Sequence, residues 1–361
     1  MARRATFDPW LLALTVALVS GGLLMVGSSS NYFALDMTAN PSALWWKQGL
    51  FVLVGATALV VPLLVPYQRL VEPRMLRALL AVTLGLLLLV LAMPAAGGAH
   101  RWIPLGPIKF QPSEFAKLVC VLFLARRLAG CEAPLALRNI LAPLAIAGAV
   151  AGLVLAEPDL GTAAILAAVV GVMVFVAGLR WRWVVALVGL AGLGLVVSII
   201  AQPYRIERMR AFLDPASDPL GASFQLNQSL IAIGSGGVMG TGLGGSQQKA
   251  FYLPAAHTDF IFSVIGEELG MIGCGVVLAA FLILYWRGLR TAVRAPDRFG
   301  FYLALGLTHV LVLQALVNLS VCLGLLPTKG LPLPFISYGG SSLVASMMAM
   351  GLLLNVSQYS N

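Results

Sequence analysis

Charge is what this chain of 361 residues has least of. Only 10% of its side chains are Asp, Glu, Lys or Arg, while 60% are hydrophobic, and ordinary soluble domains carry about 25% charge. So few ions cannot cover a water-facing surface of this size, which excludes a soluble globular domain. Acids are the scarcer sign, 14 against 23 Lys and Arg. Between Asp218 and Glu267 the only carboxylate is Asp259, at the mouth of an apolar run. Cysteine is scarce as well. Cys120, Cys131, Cys274 and Cys322 lie mostly in apolar runs with no CxxC spacing, which makes them packing residues rather than a disulfide framework.

What the chain has instead is apolar runs of about 20 residues, the length that spans a bilayer as a helix. Ten spans fit, at 9–28, 45–65, 76–93, 113–129, 140–156, 160–178, 183–201, 260–286, 299–321 and 337–356. The expected fold is an all-α polytopic membrane protein of about ten transmembrane helices, a single integral membrane domain over 1–361. A large extracytoplasmic loop, 202–259, joins helices 7 and 8 and carries the approach to Asp259. The first run follows Arg3 and Arg4 but lacks a small-residue cleavage site, so it is read as a retained helix.

Ten spans put both termini on one side. The loops on that side hold fourteen arginines (Arg3, Arg4, Arg69, Arg74, Arg77, Arg126, Arg127, Arg138, Arg180, Arg182, Arg287, Arg290, Arg294, Arg298) against Asp8, Glu72, Glu132 and Asp297. The positive-inside rule makes that side the cytoplasm. The net charge of +9 is therefore a topology signal, and nucleic-acid binding drops out.

The informative polar stretches then fall on the extracytoplasmic side. Gln111–Lys117 (QPSEFAK) starts the fourth span, with Glu114 and Lys117 on one helix face. They form either a structural ion pair or a cavity floor turning Lys117 to an anionic ligand. Arg101 and Lys109, set among Trp, Pro and Gly, are interfacial anchors or a phosphate site. In the long loop, Arg205, Arg208 and Arg210 either pair with Glu207, Asp214 and Asp218 or meet a phosphate. Residues 223–235 alternate apolar and amide side chains at near-helical spacing, as in an interfacial or re-entrant helix. The formal G-x-G-x-x-G at Gly240, Gly242 and Gly245 has no preceding strand, so a dinucleotide site fails on context. A tightly turning loop is the plain reading, with a backbone nest for an anion as the alternative. Three prolines in 327–334 make a stiff re-entrant segment presenting Lys329. Gln314 and Asn318, four apart on one face, either line the cavity or serve as interhelical glue. His257 either assists Asp259 or caps the helix that follows. Ser263 and Glu267 continue the face of Asp259, and Glu267 and Glu268 read as partners of buried cations.

Together these stretches resemble the SEDS family of bacterial membrane proteins, FtsW and RodA, over nearly the whole chain. The matching residues are Arg101-Trp102-Ile103, QPSEFAK, Glu157–Thr162 (EPDLGT), Phe212–Gly221, Gln225–Ser229, His257–Leu269 and Leu326–Ser342. Pro327-Thr328-Lys329-Gly330 and the run from Gly242 to Lys249 are similar to the FtsW subgroup rather than RodA. The resemblance implies a peptidoglycan glycosyltransferase of the bacterial cytoplasmic membrane that polymerises lipid II on the outer face during septal wall synthesis. Its implied partner is a class B penicillin-binding protein, an FtsI-like transpeptidase, together with other membrane proteins of the divisome. It implies Asp259 as the essential aspartate, Glu114 and Lys117 as the cavity pair, and Lys329 as the family's PTKG lysine. FtsW proteins commonly carry Glu where Phe251 and Ala255 stand here, which leaves Asp259 without accessory acids in that segment.

The chemistry follows from the groups. A lipid pyrophosphate leaves without a general acid if cations stabilise it, so one base and several Lys or Arg suffice. The expectation is a single inverting displacement with Asp259 as catalytic base. Arg101, Lys109, Glu114, Lys117, Arg210, Lys329, His257, Ser263 and Asn318 are the candidates for the pyrophosphate and cavity contacts. No cofactor or resident metal is implied, and the residues leave open whether Mg or Mn bridges the pyrophosphates. Two other readings stand beside this one: a RodA-like polymerase of cell elongation, and a flippase moving the lipid-linked precursor. The flippase needs a polar route reaching both faces, and no internal repeat is visible to support one.

Overall fold

Proline and aspartate start many of the helices. Pro73, Pro112 and Pro203 occupy first-turn positions, where the missing N–H removes nothing. Asp159 and Asp297 cap helices by accepting from the N–H groups of Thr162 and Gly300. In chain order the elements are α1 (Pro9–Thr38), α2 (Ala43–Leu64), a 3₁₀ turn (Tyr67–Val71) and α3 (Pro73–Leu91). A hairpin of β1 (Ile103–Leu105) and β2 (Ile108–Phe110) comes next. Then follow α4 (Pro112–Ala129), α5 (Leu137–Ala156), α6 (Leu160–Val176), α7 (Trp181–Ile200), α8 (Pro203–Leu213) and α9 (Phe224–Ser235). The chain ends with α10 (Ile261–Val293), α11 (Arg298–Cys322) and α12 (Gly340–Ser357). The computed structural model describes all residues except 1–5, 39, 95–99, 107, 132–134, 216, 217, 220, 222, 250, 251 and 361, and only the backbone of 31–38 and 71. Arg3, Arg4 and Glu132 of the charge pattern, and Phe251 of the loop, lie outside the described residues.

The chain is a multi-pass membrane protein. Eight of its helices are long and apolar enough to cross a bilayer. The remaining two expected spans are helices that miss those criteria for visible reasons: α6 is shorter, and α4 carries Glu114, Lys117, Arg126 and Arg127 within 18 residues. The most buried helices are α11 and α12. The first is surrounded by α4, α6 and α10, the second packed against α2 and α4. At the other extreme α7 has no buried residue, and its main neighbours are α6 and α8.

Both ends of the described chain meet. The Asp8 N–H donates to Ser357 Oγ at 3.0 Å, and Arg287 Nε donates to the Asp8 carboxylate at 2.9 Å. The start of α1, the far part of α10 and the end of α12 therefore share one side. The starts of α4, α6, α10 and α12 lie at the other.

Three expectations change. The chain is helical but not purely so, because Ile103–Phe110 forms the small antiparallel hairpin. The long loop is largely structured: α9 falls on the expected 223–235, and α8 was not anticipated. The eighth span is longer than 260–286 and is broken. Gly270 sits at φ 66°, ψ −163° inside α10, a conformation only glycine adopts freely. Into the break comes the Gly-rich segment. Thr241 and Gly242 N–H groups donate to the carbonyls of Glu267 and Glu268, while Met271 and Ile272 donate to Gly237 and Val238, at 2.9–3.3 Å. The segment thus replaces the hydrogen bonds that the helix loses, as membrane-embedded backbone requires. A Cβ on Gly240 would collide with the Glu268 carbonyl, so glycine is needed for closeness as well as for its φ of +80°. The N–H groups of Thr241 and Gly242 are thus spent on α10, and those of Gly240 and Gly245 on carbonyls of the segment itself, which favours the plain reading of a tightly turning loop.

Candidate active site

Asp259 lies two residues before α10, in a turn closed by Ala255. The Ala255 carbonyl accepts from the N–H groups of Thr258, Asp259 and Phe260 at 3.0, 3.1 and 3.3 Å. Ala255 holds φ +58° to do so. The turn is fastened to the Pro-rich strap 327–339. Tyr338 N–H donates to the His257 carbonyl at 2.9 Å, and the Ser337 hydroxyl donates to the Thr258 carbonyl. Asn318 of α11 spends both amide hydrogens here, on the carbonyls of Asp259 and Leu331, each at 2.7 Å. Gln314, one turn earlier, donates to the Pro332 carbonyl at 3.0 Å. The two amides thus hold backbone as glue and brace the aspartate from behind.

The Asp259 carboxylate is partly buried and accepts no hydrogen bond from any described residue. Gly330 lies directly against it: a Cβ there would sit 2.9 Å from Oδ2. Burial pushes its pKa up to about 6, and the charges of Arg101, Arg208 and Lys329 pull against that rise while Asp159 adds to it. Lys329 faces the same cluster, makes no hydrogen bond or ion pair through its ammonium among the described residues, and is lowered to about 8 by burial. An unpaired aspartate poised near neutrality amid unpaired cations is the profile of a base beside an anion site.

Arg101 is anchored by donating to the carbonyls of Glu157 and Pro158. Arg208 of α8 reaches the Thr328 carbonyl at 3.3 Å. Arg205, one turn earlier, is held by Ser198 Oγ at 2.6 Å and by Tyr204. Asp159 is fixed by the Thr162 hydroxyl at 2.8 Å and, more loosely, by Gln111 at 3.4 Å. Next to it Glu157 is 0% exposed, both its oxygens lack partners, and burial followed by the Asp159 charge raises it to about 8. Among the described residues no group of three or more His, Cys, Asp or Glu converges.

The other expected residues are placed differently. Lys117 and Glu114 are 2% exposed and paired at 3.0 Å, and Lys117 also donates to Gln314. The hollow they line is only about 10 Å³, too small for more than one water. Here the ion-pair reading applies, and Lys117 does not open to a ligand. Ser263 is buried in a hydroxyl pair with Ser229 at 2.6 Å, tying α10 to α9. His257 is buried, stacks edge-on against Tyr338 at 5.6 Å, and is lowered to about 4 by burial, so it is neutral at pH 7. Lys109 and Arg210 are exposed, and neither is among the charges that move Asp259. Glu268 does pair with a buried cation, Lys249, at 2.7 Å. Glu267 instead receives the Ser246 hydroxyl and the Gln247 N–H.

Sequence reasoning raised Arg208 as one of three loop arginines that could meet a phosphate but selected Arg210, and it did not select Asp159. Arg208 had a usable signal, because a helix over α8 puts positions 205 and 208 on one face and 210 on another. Asp159 had only its place in the EPDLGT stretch, since it comes to Asp259 from a hundred residues away.

Known proteins resemble this chain over nearly its whole length. The family model of cell cycle proteins FtsW, RodA and SpoVE matches residues 9–361. A probable peptidoglycan glycosyltransferase FtsW of Alkalilimnicola ehrlichii is 45% identical, over 96% of this chain and 88% of the relative. Stage V sporulation protein E of Bacillus subtilis is 41% identical over 99% of both. A solved chain from a peptidoglycan synthase complex superposes with a TM-score of 0.78 at 33% identity, covering 97% of each. The rod shape determining protein RodA of Thermus thermophilus gives 0.72 at 30%, covering 97% and 96%. With one family spanning the chain from α1 to its last residue, the protein belongs to the FtsW/RodA/SpoVE family.

Proposed function

We propose that this protein is an FtsW-like peptidoglycan glycosyltransferase that polymerises lipid II on the outer face of the bacterial cytoplasmic membrane during septal wall synthesis. The observation that carries the reading is Asp259: a carboxylate with no hydrogen-bond donor of its own, held up near 6, with Arg101, Arg208 and Lys329 around it. Support for the activity comes from relatives named as probable peptidoglycan glycosyltransferases at 40–45% identity.

In the reaction, Asp259 takes the proton of the acceptor sugar's 4-hydroxyl. The oxygen then attacks the anomeric carbon of the donor as the bond to the lipid pyrophosphate breaks. Arg101, Arg208 and Lys329 receive the charge that develops on the leaving group, which spares the reaction a general acid. Asp159 is a second carboxylate near Asp259, but Thr162 and Gln111 occupy it, and the mechanism needs no covalent glycosyl-enzyme. The displacement inverts the anomeric centre. A class B penicillin-binding protein is the proposed partner, in line with a solved neighbour from a complex that coordinates polymerization and crosslinking.

The test is incubation of purified protein and partner with lipid II in detergent, where sidedness is lost and transport cannot produce glycan. Asp259→Ala is expected to fold, insert and make no polymer. Polymer from that variant removes Asp259 as the base, and its absence from the unaltered protein favours the flippase reading.

A further inference from the structure

At the end of the bundle opposite Asp259, the α4–α5 and α6–α7 connections are stitched together. Leu135 N–H donates to the Gly178 carbonyl at 3.2 Å, and Leu135 and Leu179 form a parallel bridge with both side chains buried. Beside this seam lies a hollow of about 170 Å³ lined by Leu135, Ala136, Leu137, Arg180 and Trp183. The 20 residues of α5, about 30 Å of helix, separate it from Glu157 and the cluster around Asp259.

The lining combines two chemistries. Four of its five side chains are apolar or aromatic, and the fifth is an exposed guanidinium. Arg180 makes no hydrogen bond or ion pair through that group with any described residue. Two more exposed arginines stand close in sequence: Arg138 in the first turn of α5, and Arg182 in the first turn of α7, the latter 5.2 Å over the Trp183 ring. No described carboxylate lines the hollow, and neither helix has an acid in its first turn. Positive-inside bias explains arginines in these connections. It does not explain a cavity with an unpaired guanidinium in its wall. Cations at helix starts also oppose the helix dipoles, so the arrangement gains from a bound anion. Trp181, 75% exposed, marks this edge as a membrane–water boundary, where indole rings settle at headgroup depth.

We propose that this hollow binds the phosphate headgroup of an anionic lipid, with Arg180 on the phosphate and Trp183 and Leu137 against its glycerol and upper acyl carbons. A free phosphate would use the arginine alone and leave the apolar wall without a role. The site is built from the connections on the side of the termini, so its lipid belongs to the leaflet on that side.

Native mass spectrometry of the full-length, delipidated protein in nonionic detergent tests this, with titrations of phosphatidylglycerol, phosphatidylcholine and inorganic phosphate. The expected result is one retained phosphatidylglycerol that phosphatidylcholine does not replace. Arg180→Gln should weaken it roughly tenfold, the loss of one charge-assisted contact. Arg180→Lys, which keeps the charge but not the fork, should fall between and decides the matter if the Gln variant does not fold. Unchanged phosphatidylglycerol retention in Arg180→Gln, or equal retention of phosphatidylcholine, overturns the site. Displacement of the lipid by inorganic phosphate overturns its assignment to a lipid.

Discussion

At the scale of the residue, the role proposed for Asp259 sets function against stability. Its pKa in the folded protein lies near 6, above the ordinary 3.8, so folding favours its neutral form. That contribution to stability is complete below about 3.8 and fades as pH rises through 6. Asp259→Asn should therefore be inactive yet more stable at pH 7.5, by on the order of 1–3 kcal/mol, readable as a higher midpoint in a thermal melt. Catalysis has the opposite sign, since the base works only when deprotonated. Lys329, lowered to about 8, must stay protonated to hold pyrophosphate. The kcat/KM profile is accordingly expected to be a bell with limbs near 6 and 8. Lys329→Arg should remove the alkaline limb while leaving the acid one, because a guanidinium does not titrate there. An unchanged alkaline limb would assign that limb to another group. Asp259 stands out from composition alone, as the one acid in a long acid-free interval. Its neighbours were less so, because Asp159 converges through the fold and Arg208 displaces Arg210 only once α8 exists.

At the scale of the element, the break in α10 is the joint on which the approach to the site hangs. Hydropathy located this span but could not show the break, since a glycine at positive φ and one in a helix look alike in a hydropathy average. Gly240→Ala places a methyl against the Glu268 carbonyl. The expected outcome is a loss of roughly 1–3 kcal/mol and faster proteolysis within 238–248, with the rest of the chain resistant. Lys249 and Glu268 supply a second check, being a buried pair that Ser28 also touches, at 2.7 Å from its hydroxyl to the glutamate. Lys249→Ala strands an uncompensated carboxylate and should cost about 3–5 kcal/mol, with the double change Lys249→Met, Glu268→Gln milder. A double-mutant cycle with no coupling would mean that the two groups separate in the membrane. The prolines of the strap were readable as excluding a helix, and Gln314 and Asn318 as either lining or glue. Which of the two they are depends on carbonyls of Pro332, Leu331 and Asp259 that no periodicity predicts.

At the scale of the whole molecule, the helices were legible because hydrocarbon thickness sets the length of an apolar run: each of the ten expected spans is a helix, eight of them long and apolar enough to cross a bilayer, and α4 was found despite four charges by its proline start. The side facing the cytoplasm is the remaining proposal. In a variant whose four cysteines are replaced by alanine, Glu207→Cys on α8 should react with a membrane-impermeant maleimide in intact spheroplasts. Arg294→Cys beyond α10 should react only after permeabilisation. Reversed labelling would invert the molecule and move Asp259 to the wrong face for wall synthesis.

The bare exposure of α7 has a consequence for how this chain can vary. A helix with no buried residue is specified by its solvent rather than by neighbours, so the order of its letters carries little information. Shuffling Leu, Val and Ile between positions 184 and 197 should leave glycan synthesis and melting unchanged. The same shuffle in α11, enclosed on almost every side, should abolish folding. Two apolar stretches, the more hydrophobic of them the less constrained, would then differ completely in how much of their spelling matters, and a deep mutational scan would separate them at a glance.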